Sequence, residues 1–275
     1  MTSTAQETIF QSMGDGSIPL ILHLPHNATQ LPDDFEWHLS KEVLKRDLFR
    51  LVDHHTLELF QPLIAAGGVA LHNNFCRLYF DPERFADREQ ESMNQLGMGV
   101  FYTHSTDGQR FRETDSDEVY AQRIQDLHQP YHQKLTALVA QMLERFGKVL
   151  IIDGHSYPKE VLPFEQYPND PRPQIDIGTW SSPYPHSTSD IISHTQQAFT
   201  NAGYSVDLDS PFKGSLVPTQ YIGDPRVQSI MLEVRRDVYL CEEAYAQGEI
   251  QLDRKKVARF HQVLEQWLST IHQYW

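Results

Sequence analysis

Four positions put a side chain able to bind metal or move a proton at the edge of an apolar run. His26 follows the run at 19–24, and Asp53 lies in Val52-Asp53-His54-His55. His155 follows the run at 149–152, and Glu233 follows Ile230-Met231-Leu232. Two imidazoles and one carboxylate make the three-ligand set of a catalytic zinc, which leaves a fourth position for water and lowers its pKa towards ~7. A second carboxylate then serves as the base. There is no His-Glu-x-x-His pair, so these ligands would have to meet from distant segments, and spacing does not show that they do. The chain has 14 histidines, so most must be surface or packing residues. His54 and His55 also offer a ligand, although adjacent side chains point in different directions. Asp153 is a candidate to orient His155 or its neighbours, and the plain alternative for both is capping of nearby backbone at a strand end. Glu233 is open to two readings. Buried without a partner it would be costly and so marks a catalytic carboxylate, and in an alternating strand it would simply face solvent.

The elements that must position these groups follow from hydrophobic pattern. Val149-Leu150-Ile151-Ile152 reads as a strand buried on both faces, ended by Asp153-Gly154-His155-Ser156 with Gly154 bending the backbone. A polar cluster after such a strand is where open α/β sheets put their chemistry. Further strands are expected at 19–24, 69–71, 77–80, 174–177, 204–208 and 229–235. Helical spacing runs over 44–66, where Pro62 argues against one unbroken helix and Gly67-Gly68 is a stop. It returns over 126–146, with Pro130 marking the first turn, and over 189–202. A last helix is expected over 254–274 behind Asp253 as N-cap. Residues 30–41 read as loop with a short helix, 85–115 as a long loop, and 158–185 as proline-rich loop. Strands alternating with helices predict an α/β fold, one domain over 1–275, with a mixed or mostly parallel sheet covered by helices on both faces.

Composition narrows the partners. With 23 basic and 37 acidic residues the net charge is −14, which argues against nucleic acid and leaves a small-molecule substrate, bound by a few arginines in a cleft. Two cysteines make no disulfide framework and point to a reducing compartment. Residues 1–16 are polar, and no apolar run approaches the ~20 residues of a membrane helix. A soluble, cytoplasmic protein with no membrane partner is the expectation. Neither a Gly-x-Ser-x-Gly elbow nor a phosphate loop is present. Cys76 beside Arg77 reads either as an activated thiol or as a small buried strand residue.

Six short motifs in order carry a family resemblance. They are Leu24-Pro25-His26-Asn27, Val52-Asp53-His54-His55, the stretch Cys76-Arg77-Leu78-Tyr79-Phe80-Asp81-Pro82-Glu83-Arg84, Asp153-Gly154-His155-Ser156, Phe212-Lys213-Gly214, and Ile230-Met231-Leu232-Glu233. Over residues 19–239 the chain resembles the N-formylglutamate amidohydrolases. The resemblance implies a twisted mixed sheet between helices, similar in fold to zinc carboxypeptidases, and hydrolysis of N-formyl-L-glutamate to formate and glutamate. It also implies Zn2+ held by His26, Asp53 and His155, Glu233 as base, and Arg77 and Arg84 as carboxylate binders. The chain departs from the pattern at Glu83, where asparagine is usual, at Asn27 and Ala28, at Ser215, and at Thr219, where arginine is common. An acid gained and an arginine lost weaken the case for a dicarboxylate substrate. The expectation is a metal-dependent hydrolase of an N-formyl or other N-acyl amino acid. The alternative is a non-catalytic small-molecule-binding protein that keeps the fold.

Overall fold

The structure is a computed structural model that describes residues 9–165, 168–179 and 186–274. Its strands are β1 (Phe10–Met13), β2 (Leu20–Leu24), β3 (Val69–Asn73), β4 (Val149–Tyr157), β5 (Ile175–Gly178), β6 (Val206–Leu208) and β7 (Val227–Arg235). Among the described residues they form one seven-stranded sheet in the order β1-β3-β2-β4-β7-β5-β6. The pairs β2/β3, β2/β4, β4/β7 and β5/β6 are parallel, and β1/β3 and β5/β7 are antiparallel. The sheet is thus mixed and mostly parallel, as expected.

Period-two alternation divides the apolar strand residues between two cores. Leu20, Leu22, Leu150, Ile152, Ile230 and Leu232 face one side. There they pack on helices α3 (Ser189–Asn201) and α4 (Arg254–Ile271), through Ile191, Phe199, Phe260 and Trp267. Ile21, Val149, Ile151 and Val227 face the other side, against Leu135, Leu138, Val139 and Met142 of α2 (Gln129–Phe146). The same alternation carries Asp153 and His155, and Met231 and Glu233, onto the α2 side of the sheet, past the rows that α2 covers. That is the carboxyl end of the parallel strands. A smaller cluster around Leu51, Val52, Cys76, Leu78 and Tyr102 seats the irregular segment after β3 beside that end.

Several elements differ from expectation for local reasons. β4 does not stop or bend at Gly154 but runs on to Tyr157. A Cβ there would sit 2.7 Å from Leu24 Cδ2 and 3.0 Å from Phe60 Cε2, so the glycine serves close packing between strand and helix. Residues 77–80 are a turn, not a strand: Tyr79 N and Phe80 N both donate to Cys76 O, at 2.9 and 3.3 Å. The alternation of Leu78 and Phe80 is real but serves two different cores. The helix expected over 126–146 begins earlier, with Ser116 capping Asp117–Arg123. A π-helical turn at Ile124–His128 then leads into α2. Proline cannot donate to the carbonyl four residues back, and the widened turn before Pro130 accommodates it inside a longer helical run. The 44–66 pattern resolves into α1 (Lys41–Leu51), Thr56–Leu59 and Gln61–Ala65, with Pro62 in the first turn of the last. The break falls at His55, whose φ is 59°. The remaining strand and helix expectations hold within a few residues, and Asp253 caps α4 through Lys255 N and Lys256 N, at 2.9 and 3.2 Å.

The polar opening supplies β1, which pattern did not indicate, nor did it indicate the short helix Glu242–Ala246. No helix forms over 30–40. Residues 85–115 are irregular apart from a 3-10 turn at Ser92–Leu96 and an isolated antiparallel bridge between His104 and Arg110. Of the expected loop at 158–185, residues 166–167 and 180–185 lie outside the described residues, as do residues 1–8 of the polar opening. Among the described residues no helix is long and apolar enough to cross a membrane.

Candidate metal centre and substrate cleft

His26 and Asp53 are brought together by backbone. β2 ends at Leu24, the chain turns, and His26 O accepts from Asp53 N at 2.9 Å. Asp53 stands just beyond α1, whose last carbonyls would otherwise lack donors. Arg236, immediately after β7, supplies them: it donates to Phe49 O at 2.7 Å, Arg50 O at 2.9 Å and Val52 O at 2.7 Å. Tyr239 Oη donates to His54 O at 2.7 Å and lies 2.9 Å from Ser156 Oγ. The segment bearing Asp53 is therefore tied to both central strands.

His155 reaches the same point from β4. Its Nδ1 lies 3.0 Å from Asp53 Oδ2, and His26 Nδ1 lies 3.7 Å from that oxygen. All three residues are buried, and their ligand atoms lie within 4.8 Å of one another. The outward nitrogens are held by carboxylates: His26 Nε2 by Asp81 Oδ1 at 2.8 Å, and His155 Nε2 by Asp153 Oδ1 and Glu83 Oε1, each at 3.1 Å. In the neutral form that donates Nε2–H outward, each ring turns its Nδ1 lone pair inward, the form a metal would select. His26 Nδ1 is buried with no hydrogen-bond partner. Two nitrogens and a carboxylate oxygen converging, with a carboxylate behind each ring, is a donor set that could hold zinc. Asp153 holds more than His155: its Oδ1 is 2.7 Å from His23 Nδ1, its partner across β2/β4, and its Oδ2 accepts from Leu216 N at 2.8 Å.

Electrostatics follow from the packing. Burial alone would raise Asp53, but the neighbouring imidazoles, His155 before His26, hold its carboxyl well below the usual range. Burial would lower His155, and the charges of Glu83 and Asp153 hold it well above its ordinary value. Glu233 stands opposite His155 in the β4/β7 register and is 9% exposed. Its Oε2 has no hydrogen-bond partner. Burial holds its carboxyl well above the carboxylate range, with His155 opposing and Asp53 adding to the effect. The solvent-facing reading of Glu233 is thus overturned.

Arg77 and Arg84 line the same cleft, of about 250 Å³, as His26, Asp53, His155 and Glu233. Arg77 forks onto Asp81 Oδ2 with Nε at 3.0 Å and Nη2 at 2.7 Å. Arg84 Nε is 3.4 Å from that oxygen, and Tyr102 Oη donates to it at 3.0 Å. Burial would raise Asp81, yet Arg77 first, then His26 and Arg84, hold it well below the usual range.

The structure therefore brings all six sequence-predicted residues to one cleft. Sequence reasoning gave no role to Asp81, Tyr102 or Arg236. Asp81 stood inside a motif, but its partners come from three segments, and Tyr102 lies where no periodicity exists to read. Other candidates fall away. Cys76 is buried in a turn rather than a strand, and burial pushes its thiol up to about 12, so it is not activated. Burial, with Arg236 nearby, pushes His54 down to about 3, and its Nε2 is 3.3 Å from Phe49 O. His54 and His55 line a separate recess.

A family profile described as N-formylglutamate amidohydrolase matches residues 18–240. An N-formylglutamate deformylase of Pseudomonas putida is 24% identical over 238 residues, covering 84% of this chain and 85% of the relative. An N-formylglutamate amidohydrolase structure from Ralstonia eutropha JMP134 has a TM-score of 0.79 at 21% identity, covering 97% of this chain and 99% of that one. A gene product of Agrobacterium tumefaciens has a TM-score of 0.69 at 15% identity, covering 98% and 96%. At these identities the two structures speak for the fold.

Proposed function

The chain belongs to the N-formylglutamate amidohydrolase family, and from that we propose a zinc-dependent hydrolase that cleaves the amide of an N-formyl or other N-acyl amino acid. The observation that carries the reading is the inward convergence of His26 Nδ1, left without a partner by the protein, on Asp53 and His155.

In this reading His26, Asp53 and His155 hold the metal, and Asp81, Asp153 and Glu83 fix the imidazole orientations. Bound there, zinc supplies Lewis-acid polarisation of the acyl carbonyl and a water of lowered pKa. Glu233 takes the proton of the attacking water and delivers it to the leaving nitrogen. A carboxyl raised above its ordinary range is suited to do both. Arg77 and Arg84 bind the substrate α-carboxylate. Asp81 occupies Nε and Nη2 of Arg77, which leaves Nη1 for the substrate. Burial around Glu233 and the two ligand histidines keeps bulk water from competing for these contacts. A reducing, cytoplasmic setting goes with the reading, supported by two free cysteines among the described residues.

The test is turnover by the zinc-loaded protein on a panel of N-formyl and N-acetyl amino acids, with loss on chelation and recovery with zinc. Zinc bound at one equivalent without turnover of any member would leave a binding protein instead.

A further inference from the structure

Beside the metal cleft lies a second, larger groove of about 1030 Å³. It runs between α2, the segment after Asp81 and residues 215–222, and it shares Glu83 and Arg84 with the metal cleft. Its wall is largely apolar, built from Phe85, Leu216, Val217, Pro218 and Ile222. Phe85 is 57% exposed and Ile222 46% exposed, so the fold leaves two large apolar side chains in water at its rim. Exposed apolar surface gathered at a concavity next to a site marks a place where a ligand is covered.

The polar groups in the groove do not suit an anion. Arg84 is the only lysine or arginine among the described lining residues, and Asp81 already stands 3.4 Å from it. Glu83 is an acid at the junction. His128 and His132 turn Nε2 to backbone, 3.0 Å from Arg84 O and 2.8 Å from Pro82 O. Thr219 and Gln220 are neutral. A side-chain carboxylate entering the groove would leave water for a largely apolar wall and meet Glu83, with Arg84 as its one lining arginine and that cation already assigned to the α-carboxylate, a costly transfer.

We propose that this groove receives the amino-acid side chain of the substrate, and that the side chain it takes is bulky and apolar, of the leucine, methionine or phenylalanine kind. The inference rests on the hydrolase reading. With the acyl carbon at His26, Asp53 and His155 and the α-carboxylate at Arg77 and Arg84, the side chain would leave the metal cleft beside Glu83 and Arg84, where the two cavities adjoin.

The experiment compares kcat/KM of the zinc-loaded full-length protein on N-formyl-L-phenylalanine, -leucine, -methionine, -alanine and -glutamate. A single methylene in an apolar pocket changes specificity about 10- to 200-fold. The apolar substrates should therefore exceed N-formylglutamate at least ~10-fold. N-formylglutamate equal to or better than all of them would overturn the inference and leave the hydrolase reading standing. No turnover of any member would bring down the hydrolase reading itself, and the inference with it. Two variants locate the effect. Ile222→Arg, at an exposed rim position, should shift the phenylalanine-to-glutamate ratio towards glutamate by ~10-fold or more, by adding the missing cation. Thr136→Trp, which fills the groove from α2, should lower the phenylalanine-to-alanine ratio. Ratios unmoved by both variants in folded protein would place the side chain elsewhere and overturn the proposal.

Discussion

Asp81 and His26 meet at 2.8 Å, Oδ1 to Nε2, while the other oxygen of that carboxylate takes the Arg77 fork. One buried group thus sets both a proposed metal ligand and a proposed substrate clamp. Asp81→Asn should weaken zinc binding about 10- to 100-fold, the usual effect of losing a carboxylate behind a ligand histidine. Competition against a chromophoric chelator measures it. Undiminished affinity would mean that the ring is held by its surroundings and not by Asp81.

Glu233→Gln keeps the shape and removes the basic oxygen. With Glu233 as general base, kcat should fall ~10²- to 10⁴-fold while bound zinc stays at the wild-type level. A wild-type rate with zinc in place would exclude Glu233 from proton transfer.

Arg77→Ala should lower kcat/KM on N-formyl amino acids roughly 10- to 100-fold with zinc content unaltered, the worth of a hydrogen-bonded charge pair. Steady-state kinetics beside metal analysis decides it. Unaltered kinetics would remove Arg77 from the substrate site.

Arg236→Met keeps length and loses the donors to Phe49 O, Arg50 O and Val52 O. Stranding Arg50 O and Val52 O, while Phe49 O keeps His54 Nε2 at 3.3 Å, should cost about 2 kcal/mol or more in a urea titration. Zinc affinity should fall as well, because Asp53 sits at the end of the released segment. A loss of stability with undiminished zinc affinity would show that Asp53 is held independently.

Acid should weaken the fold before carboxylates titrate. Burial pushes His132 and His54 each down to about 3 from the ordinary 6.5 of a histidine. A group whose folded pKa is depressed contributes stability above its unfolded pKa and loses it as pH falls towards the folded value. Stability should therefore drop between pH 6.5 and 3, each histidine adding a slope approaching ~1.4 kcal/mol per pH unit. Melting curves of His132→Gln against wild type across that window should converge as pH falls. Parallel curves would mean that His132 is protonated in the folded state.

Much of this was legible in the sequence where burial is two-sided or periodic. β2, β4 and β7 are apolar enough to be read as central strands, and His26, His155 and Glu233 announce themselves by ending those runs. The pairing of Asp53 with His26 was not legible, because it depends on a backbone hydrogen bond between the turn after β2 and the end of α1. Gly154 was read as a bend because local sequence cannot show Leu24 and Phe60 closing on it. Residues 77–80 imitate a strand because their apolar side chains serve two cores across a turn. Pro130 hid the first turns of its helix, since a π turn that absorbs a proline leaves no mark in periodicity.

The ties from Arg236 and Tyr239 to residues 49–54 span more than 180 positions of chain. During synthesis His26, Asp53 and His155 all leave the ribosome well before the residues that fix Asp53, and before β7 closes against β4. Nascent chains arrested short of residue 227 should fail to shield zinc from a chelator, although every ligand is already outside the exit tunnel. Early shielding would show that the N-terminal part assembles the site unaided. With the ties as they stand, the proposed metal site would be completed only when the last central strand is in place, after the competition among nascent chains for free cations is over.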